Sequence, residues 1–280
     1  MKILFQSDDY GITKAQALGC LEAIKNGVIR NTGMFTNMPW AKEVAEWIKP
    51  YMDEIALGVD LNASTGPSLL NLPSLVQEDG VTFKTSGQNR ALDTEENGFD
   101  HVVYEDVYAE FDAQIQKFIE IFGKKPDYLH GHAYGTITTA KASIALARKY
   151  GIPYSSVIME DERMCTGGMD WYIYPPTLEN QVKSDLTKFI VEDVSGFLTS
   201  GKEFGMLVCH TGYVEACLFG LSSYNIYRCK DLEGVTSDAT KQWVQDNHIE
   251  LITYKDIPTW MDEADENAGL NGFAALLNKK

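Results

Sequence analysis

Apolar residues along this chain fall into two rhythms, short unbroken runs and longer stretches spaced three or four apart. Ile3 to Phe5 is a short run of the kind that becomes a buried strand. From Lys14 to Asn26 the positions Ala17, Leu18, Leu21 and Ile24 form one helical stripe, and Gly27 suits the helix stop. The alternation continues with a predicted strand over Thr32–Thr36, a helix over Ala41–Met52 and a strand over Ile55–Leu61. Between Thr65 and Asp100 the periodicity fails, and Gly66-Pro67, Asp79-Gly80, Ser86-Gly87 and Asn97-Gly98 punctuate the stretch as turns. So long an irregular stretch reads as an inserted excursion or an active-site lid.

Beyond it, Tyr104–Phe122 predicts a long helix ended by Gly123 and Pro126, followed by a strand over Tyr128–His132 and a helix over Thr138–Tyr150. Pro153–Ile158 reads as a strand, Met169–Pro176 as an irregular aromatic passage, and Val182–Leu198 as a helix. A strand over Met206–Cys209, a helix over Asp238–Asn247, a strand over Ile249–Tyr254 and a final helix from about Pro258 complete the pattern. About seven strand-then-helix units predict an α/β fold with a parallel sheet and crossover helices. No linker or internal repeat divides the chain, so one domain over residues 1–280 is expected, with 65–100 as its inserted lid.

The balance of 24 basic against 40 acidic residues leaves a net charge of −16. Such a surface repels phosphate backbones and anionic membranes, which argues against nucleic acid or a membrane as partner and for a neutral or cationic small molecule. The sequence runs straight into its first strand, and no apolar run is long enough to span a bilayer. The five cysteines are odd in number and lack CxxC spacing, which suggests reduced thiols, a cytoplasmic location and no cysteine-based zinc site.

Polar chemistry gathers where the predicted strands end. Asp8 and Asp9 follow the first apolar run; Gly11 supplies freedom for the break that two neighbouring acids need to converge. They can hold a cation and handle a proton, or one can simply cap the helix that starts near Thr13. Asp60 lies in the apolar setting Leu57-Gly-Val-Asp-Leu61, where it needs a cation or a hydrogen-bond donor. His130 and His132 flank Gly131 and would share one face of a strand, as ligands or as hydrogen-bonded core residues. His210 follows Met206–Cys209 and suits a general acid near neutral pH, or a packed histidine. In a β/α barrel the strand ends form one rim where catalytic groups collect, so this distribution favours a metal or catalytic site. Trp171, Tyr172, Tyr174 and Tyr213 read as stacking surfaces for sugar faces or as ordinary packing.

The order and spacing of several segments resemble the YdjC-like carbohydrate deacetylases, whose best-known members are chitooligosaccharide deacetylases. The matching segments are Ser7–Gly11, Thr36–Pro39, Leu57–Asn62, Glu110–Gln114, Pro126–His132, His210–Tyr213, Ser222–Asn225 with Arg228, and Ile249–Tyr254. The resemblance implies a distorted, TIM-like β/α barrel of about seven parallel strands. It also implies a metal-dependent hydrolase that removes N-acetyl groups from amino sugars or short oligosaccharides. By the same resemblance Asp8 is the catalytic base, His210 the acid, and Asp9 and His132 are metal ligands.

Two positions depart from the family pattern. Asp60 stands where the family usually reads Gly-x-His with that His on the metal. His130-Gly-His132-Ala-Tyr134 stands where it usually reads Asp-x-His-x-His. A donor set of Asp9, Asp60 and His132 favours Mg²⁺, with Mn²⁺ or Zn²⁺ as alternatives. His130 and Asn62 are then candidates for supporting the ligands, and Trp171, Tyr172, Tyr174, Tyr213 and Arg228 for touching an acetylated sugar. Hydrolysis of another amide or a phosphoester, and a lapsed enzyme that only binds sugar, remain as alternatives. The long loops are also candidates for homodimer contacts.

Overall fold

The computed structural model describes residues 1–257 and Leu270; the final helix expected from about Pro258 lies outside the described residues. In chain order come strand β1 (Lys2–Tyr10), helix α1 (Lys14–Asn26), β2 (Asn31–Met34), α2 (Ala41–Ile48), β3 (Ala56–Leu61), α3 (Ser86–Leu92) and α4 (Tyr104–Phe122). Then follow β4 (Leu129–Gly131), α5 (Ile137–Tyr150), α6 (Ser155–Met159), β5 (Met164–Thr166), α7 (Leu178–Lys183) and α8 (Leu186–Val191). The series closes with β6 (Phe204–Cys209), α9 (Ile226–Thr236), α10 (Asp238–Asp246) and β7 (Glu250–Ile252).

The strands form a seven-stranded sheet in the order β4-β3-β2-β1-β6-β5, with β7 also on β1. This is the α/β fold expected from the strand–helix alternation. Its hub is β1, whose Ile3, Leu4, Phe5 and Tyr10 are fully buried. Lys2–Leu4 pair in parallel with β7, Gln6–Tyr10 with β2, and Lys2–Ser7 with β6, so β7 and β2 divide one edge of β1 between them. A regular β/α barrel gives each strand one neighbour per edge; this shared edge is where the sheet is distorted.

The described chain divides into two compact units. The first comprises Met1–Met34, Glu46–Leu57 and Asp161–Ile257; the second includes Phe35–Ala45 and Gly58–Glu160. The first holds β1 with the strands paired to it. In the second, β3 pairs with β4 in parallel, with Asp60 opposite His130.

Several elements differ from expectation. The run expected as a strand over Pro153–Ile158 forms only a bridge, Leu129 to Tyr154, and then turns into α6. A short apolar run does not by its periodicity distinguish strand from buried helix. The single helix expected over Val182–Leu198 is cut, because Ser184 gives its hydroxyl to the carbonyl of Trp171 and Asp185 caps α8 by accepting from the Lys188 amide. The stretch expected to be irregular contains α3 and the antiparallel bridges Pro67–Thr82 and Val76–Phe83. Buried Glu110 anchors it, accepting from the Ser68 hydroxyl and the Leu69 and Leu70 amides at 2.8, 3.0 and 3.0 Å.

Candidate active site

The first unit brings Asp8, Asp9 and His210 to the ends of neighbouring strands. Three steps of β1, Ser7 to Tyr10, face two of β2, Thr32 to Met34, so β1 carries one extra residue there. Asp9 takes that strain with φ +69°, a left-handed conformation that Asp tolerates better than most residues. The break thus begins at Asp9, ahead of Gly11 (φ +85°), where it was expected. It frees adjacent side chains from strict alternation across the sheet and sends the two acids to different partners.

Asp8 is held from behind. The Tyr254 hydroxyl donates to Gln6 Oε1 at 2.6 Å, and Gln6 Nε2 donates to Asp8 Oδ1 at 2.5 Å. The other oxygen, Oδ2, lies 4.0 Å from Nε2 of His210. The strand register brings this about: Ser7 pairs with Cys209, and Asp8 and His210 are the next residues along their strands. Gln16 on α1 ties both exits together, donating to the Thr211 carbonyl at 3.0 Å and accepting from the Gly11 amide at 2.8 Å. Gly19 lets α1 pass against the segment after His210, since a Cβ there would stand 2.4 Å from the Tyr213 nitrogen.

His210 is held from its other side. Its Nδ1 is 3.0 Å from the Tyr172 hydroxyl, which donates to Asp231 Oδ2 in a short bond. The same Oδ2 accepts the backbone N–H of His210 at 2.8 Å, and Oδ1 accepts Trp171 Nε1–H at 2.9 Å. Burial pushes the Asp231 carboxyl up to about 7, against the opposing pull of those three donors and of Arg228. Burial, and then Asp231, drive the Tyr172 phenol well above its usual value.

Asp9 turns instead to α9. Arg228 Nη2 donates to its Oδ2 at 2.6 Å, and each side chain is only 1% exposed. Arg228 also donates from Nε to the Tyr224 carbonyl at 2.8 Å.

The second unit places the remaining candidates in their own surroundings. Asp60 on β3 is 1% exposed. Asn62 shapes the turn after β3, accepting the Ser64 and Thr65 amides at 3.0 Å and donating to the Thr65 carbonyl at 2.7 Å. His132 lies just past β4 with Nε2 3.1 Å from the Thr65 hydroxyl and its ring edge-on to Phe35. His130 goes to the Ser155 hydroxyl at 2.6 Å, so the two histidines serve different partners.

Of the five candidate substrate contacts, Trp171, Tyr172 and Arg228 are at most 4% exposed and face protein partners. Only Tyr174 and Tyr213, 58% and 44% exposed, present their rings to solvent. Asp231, Gln6 and Tyr254 were not among the candidates. Asp231 sits three residues after Arg228 on α9, a helix the apolar pattern leaves unmarked; that acid–base spacing was the signal that could have found it.

A parallel α/β sheet that presents an acid and an imidazole at adjacent strand ends suits proton-transfer chemistry, and the comparisons add a family. A family model described as "YdjC-like protein" matches residues 2–246, and the chain belongs to that family. Among similar proteins, carbohydrate deacetylase 2 of Listeria innocua is 29% identical over 92% of this chain and 99% of its own length. A chitooligosaccharide deacetylase of Klebsiella pneumoniae is 25% identical over 91% and 98%. A crystal structure from Enterococcus faecalis V583, of a protein assigned to cellobiose-phosphate cleavage, aligns with TM-score 0.72 at 26% identity over 92% and 99%. Among the described residues no helix is long and apolar enough to cross a membrane.

Proposed function

We propose that this protein is a carbohydrate deacetylase that hydrolyses the N-acetyl group of an amino sugar or short oligosaccharide. One observation carries the reading: Asp8 Oδ2 and His210 Nε2 face each other at 4.0 Å, each side chain braced on its far side. That separation is too long for a direct hydrogen bond and suits two groups that act on a third. Ionised Asp8 takes a proton from the water that attacks the acetyl carbon, while Nε2–H of protonated His210 goes to the amine nitrogen as the C–N bond breaks. The products are acetate and a free amino sugar, a cationic product that an acidic protein surface does not repel. The named relatives support the choice of an acetylated sugar over other amides.

A divalent cation belongs to this proposal as a separate element. The donors the resemblance implies for it are Asp9 in the first unit and Asp60 and His132 in the second, two nearly buried carboxylates and an imidazole of the kind that suits Mg²⁺ or Mn²⁺. When bound, such an ion would polarise the amide carbonyl. The residues present do not fit an ion: Arg228 holds Oδ2 of Asp9, and among the described residues no three His, Cys, Asp or Glu side chains gather as a metal site does. The proton steps are therefore assigned to Asp8 and His210 alone.

The test is acetate release from N-acetylated mono- and oligosaccharides by the purified protein with each of Mg²⁺, Mn²⁺ and Zn²⁺. Asp8→Asn and His210→Gln should each lower kcat about 10²–10⁴-fold. No acetate from any such substrate, beside an active family member, rejects the proposal; turnover of a phosphoester instead would redirect it.

A further inference from the structure

We propose that Asp231, acting through the Tyr172 hydroxyl, is a positioning residue that holds His210 in the Nδ1–H tautomer, leaving Nε2 as the nitrogen that exchanges protons. The inference rests on the reading of His210 as the proton donor, and it adds a partner that neither the family match nor the sequence motifs assign.

A tyrosine hydroxyl has one hydrogen to donate. Tyr172 gives it to Asp231 Oδ2, so at its other contact, 3.0 Å from Nδ1 of His210, the oxygen accepts. Nδ1 must then carry a hydrogen, and in the neutral ring Nε2 carries the lone pair. Nε2 is also the nitrogen that faces Asp8. The carboxylate fixes more than the ring, because the oxygen that takes the Tyr172 proton also accepts the His210 backbone N–H at 2.8 Å. Trp171 Nε1–H, on Oδ1 at 2.9 Å, keeps the carboxylate from rotating. Asp231 is 0% exposed, so solvent does not compete for these bonds.

The arrangement has a chemical consequence. When protonated His210 gives its Nε2 proton to a departing amine, it relaxes directly to the tautomer the relay prefers. Tyr172 and Asp231 keep their protonation throughout, and no second proton has to move. The opposite tautomer would leave Nε2 bearing a hydrogen in the neutral ring and unable to take one up for the next cycle. Among the groups that face His210 are Asp8, Tyr172, Asp231 and the edge-on ring of Tyr224; those around Asp231 include Tyr172, Trp171, Arg228, Tyr227 and the Cys209 thiol.

The experiment reads the tautomer directly and needs no substrate. In protein labelled with ¹⁵N-histidine, the His210 ring signals are those lost in His210→Gln, out of 5 histidines. At about pH 8, with Asp231 ionised, wild type should show Nδ1 protonated and Nε2 bare. Tyr172→Phe, which keeps the ring and removes the link, should shift His210 toward the Nε2–H form. It should also lower kcat about 10–100-fold while KM changes less than about 2-fold. Asp231→Asn, which retains one oxygen acceptor, should fall between wild type and Asp231→Ala. A wild-type His210 in the Nε2–H form overturns the proposal without any variant. So does a Tyr172→Phe protein with unchanged tautomer and unchanged kcat. If the tautomer behaves as expected and no acetate is released, the positioning role stands and the deacetylase reading fails on its own.

Discussion

Asp9 and Arg228 form an ion pair at 2.6 Å in which each side chain keeps 1% of its exposure. Two charges so deeply placed each lose hydration, and their attraction offsets that loss only while both are present. Removing one partner strands the other, at a cost of about 3–5 kcal/mol. Arg228→Met and Asp9→Asn should therefore each destabilise strongly in urea unfolding, while the double variant loses clearly less than the sum. Strict additivity would mean the two charges are not coupled.

The same pair sets a condition on metal binding. An ion that uses Asp9 must share or displace a guanidinium, so cation affinity should be modest. Asp60→Asn tests the proposed cation: a part for Asp60 in holding it requires weaker Mg²⁺ or Mn²⁺ binding by calorimetry and a smaller metal-induced rise in Tm. Asp60→His should shift the preference toward Zn²⁺. A chelated protein that retains full acetate release, with Asp60→Asn unchanged in both readouts, would remove the ion from the proposal.

Asp231 predicts a slope of stability against pH. Its folded-state value of about 7 lies above the ordinary 3.8, so the native state holds the proton more tightly than the unfolded chain. The stability this contributes is complete below about pH 4 and is lost as pH rises through about 7. A shift of this size corresponds to on the order of 4 kcal/mol. The gap in unfolding free energy between wild type and Asp231→Asn should therefore narrow in favour of the variant between pH 5 and pH 8. A gap that stays constant would show that Asp231 is already ionised at pH 5.

Gly19→Ala sets two effects against each other. Alanine in a helix interior gains up to about 1 kcal/mol over glycine. The added methyl would meet Tyr213 N at 2.4 Å and Gly212 C at 2.6 Å, both backbone atoms that no rotamer change can move. Overpacking of this kind costs about 1–3 kcal/mol and should win. Lower Tm and lower kcat are both expected, because the segment pushed away carries Thr211 and His210. A more stable protein with unchanged kcat would show that the segment yields freely.

Much of this was legible in advance where the local pattern alone decides the outcome. Helices α1 and α4 form over the spans their apolar stripes predict, Lys14–Asn26 and Tyr104–Phe122. Asp8 and His210 were visible as polar residues ending apolar runs, and the parallel register makes them neighbours. What escaped was long-range. Gln6 finds Tyr254 across 248 positions and His210 finds Asp231 across 21, distances over which no periodicity carries information. Trp171 and Tyr172 read in the sequence as stacking surfaces for a sugar or as ordinary packing. Each also carries a single polar hydrogen, and burial made that hydrogen the deciding feature.

The extra residue in β1 makes chain length, alongside the identity of its two acids, a property this strand must conserve. A pleated strand keeps time like a two-beat measure, and the added beat between Ser7 and Tyr10 lets consecutive acids fall on separate partners. Deleting a flanking residue such as Tyr10 would restore the even count and return Asp8 and Asp9 to opposite faces. One of them would then be turned from its present partner, whether His210 or Arg228, with its chemical identity unchanged. Insertion or deletion is closed to this segment even where both acids are kept.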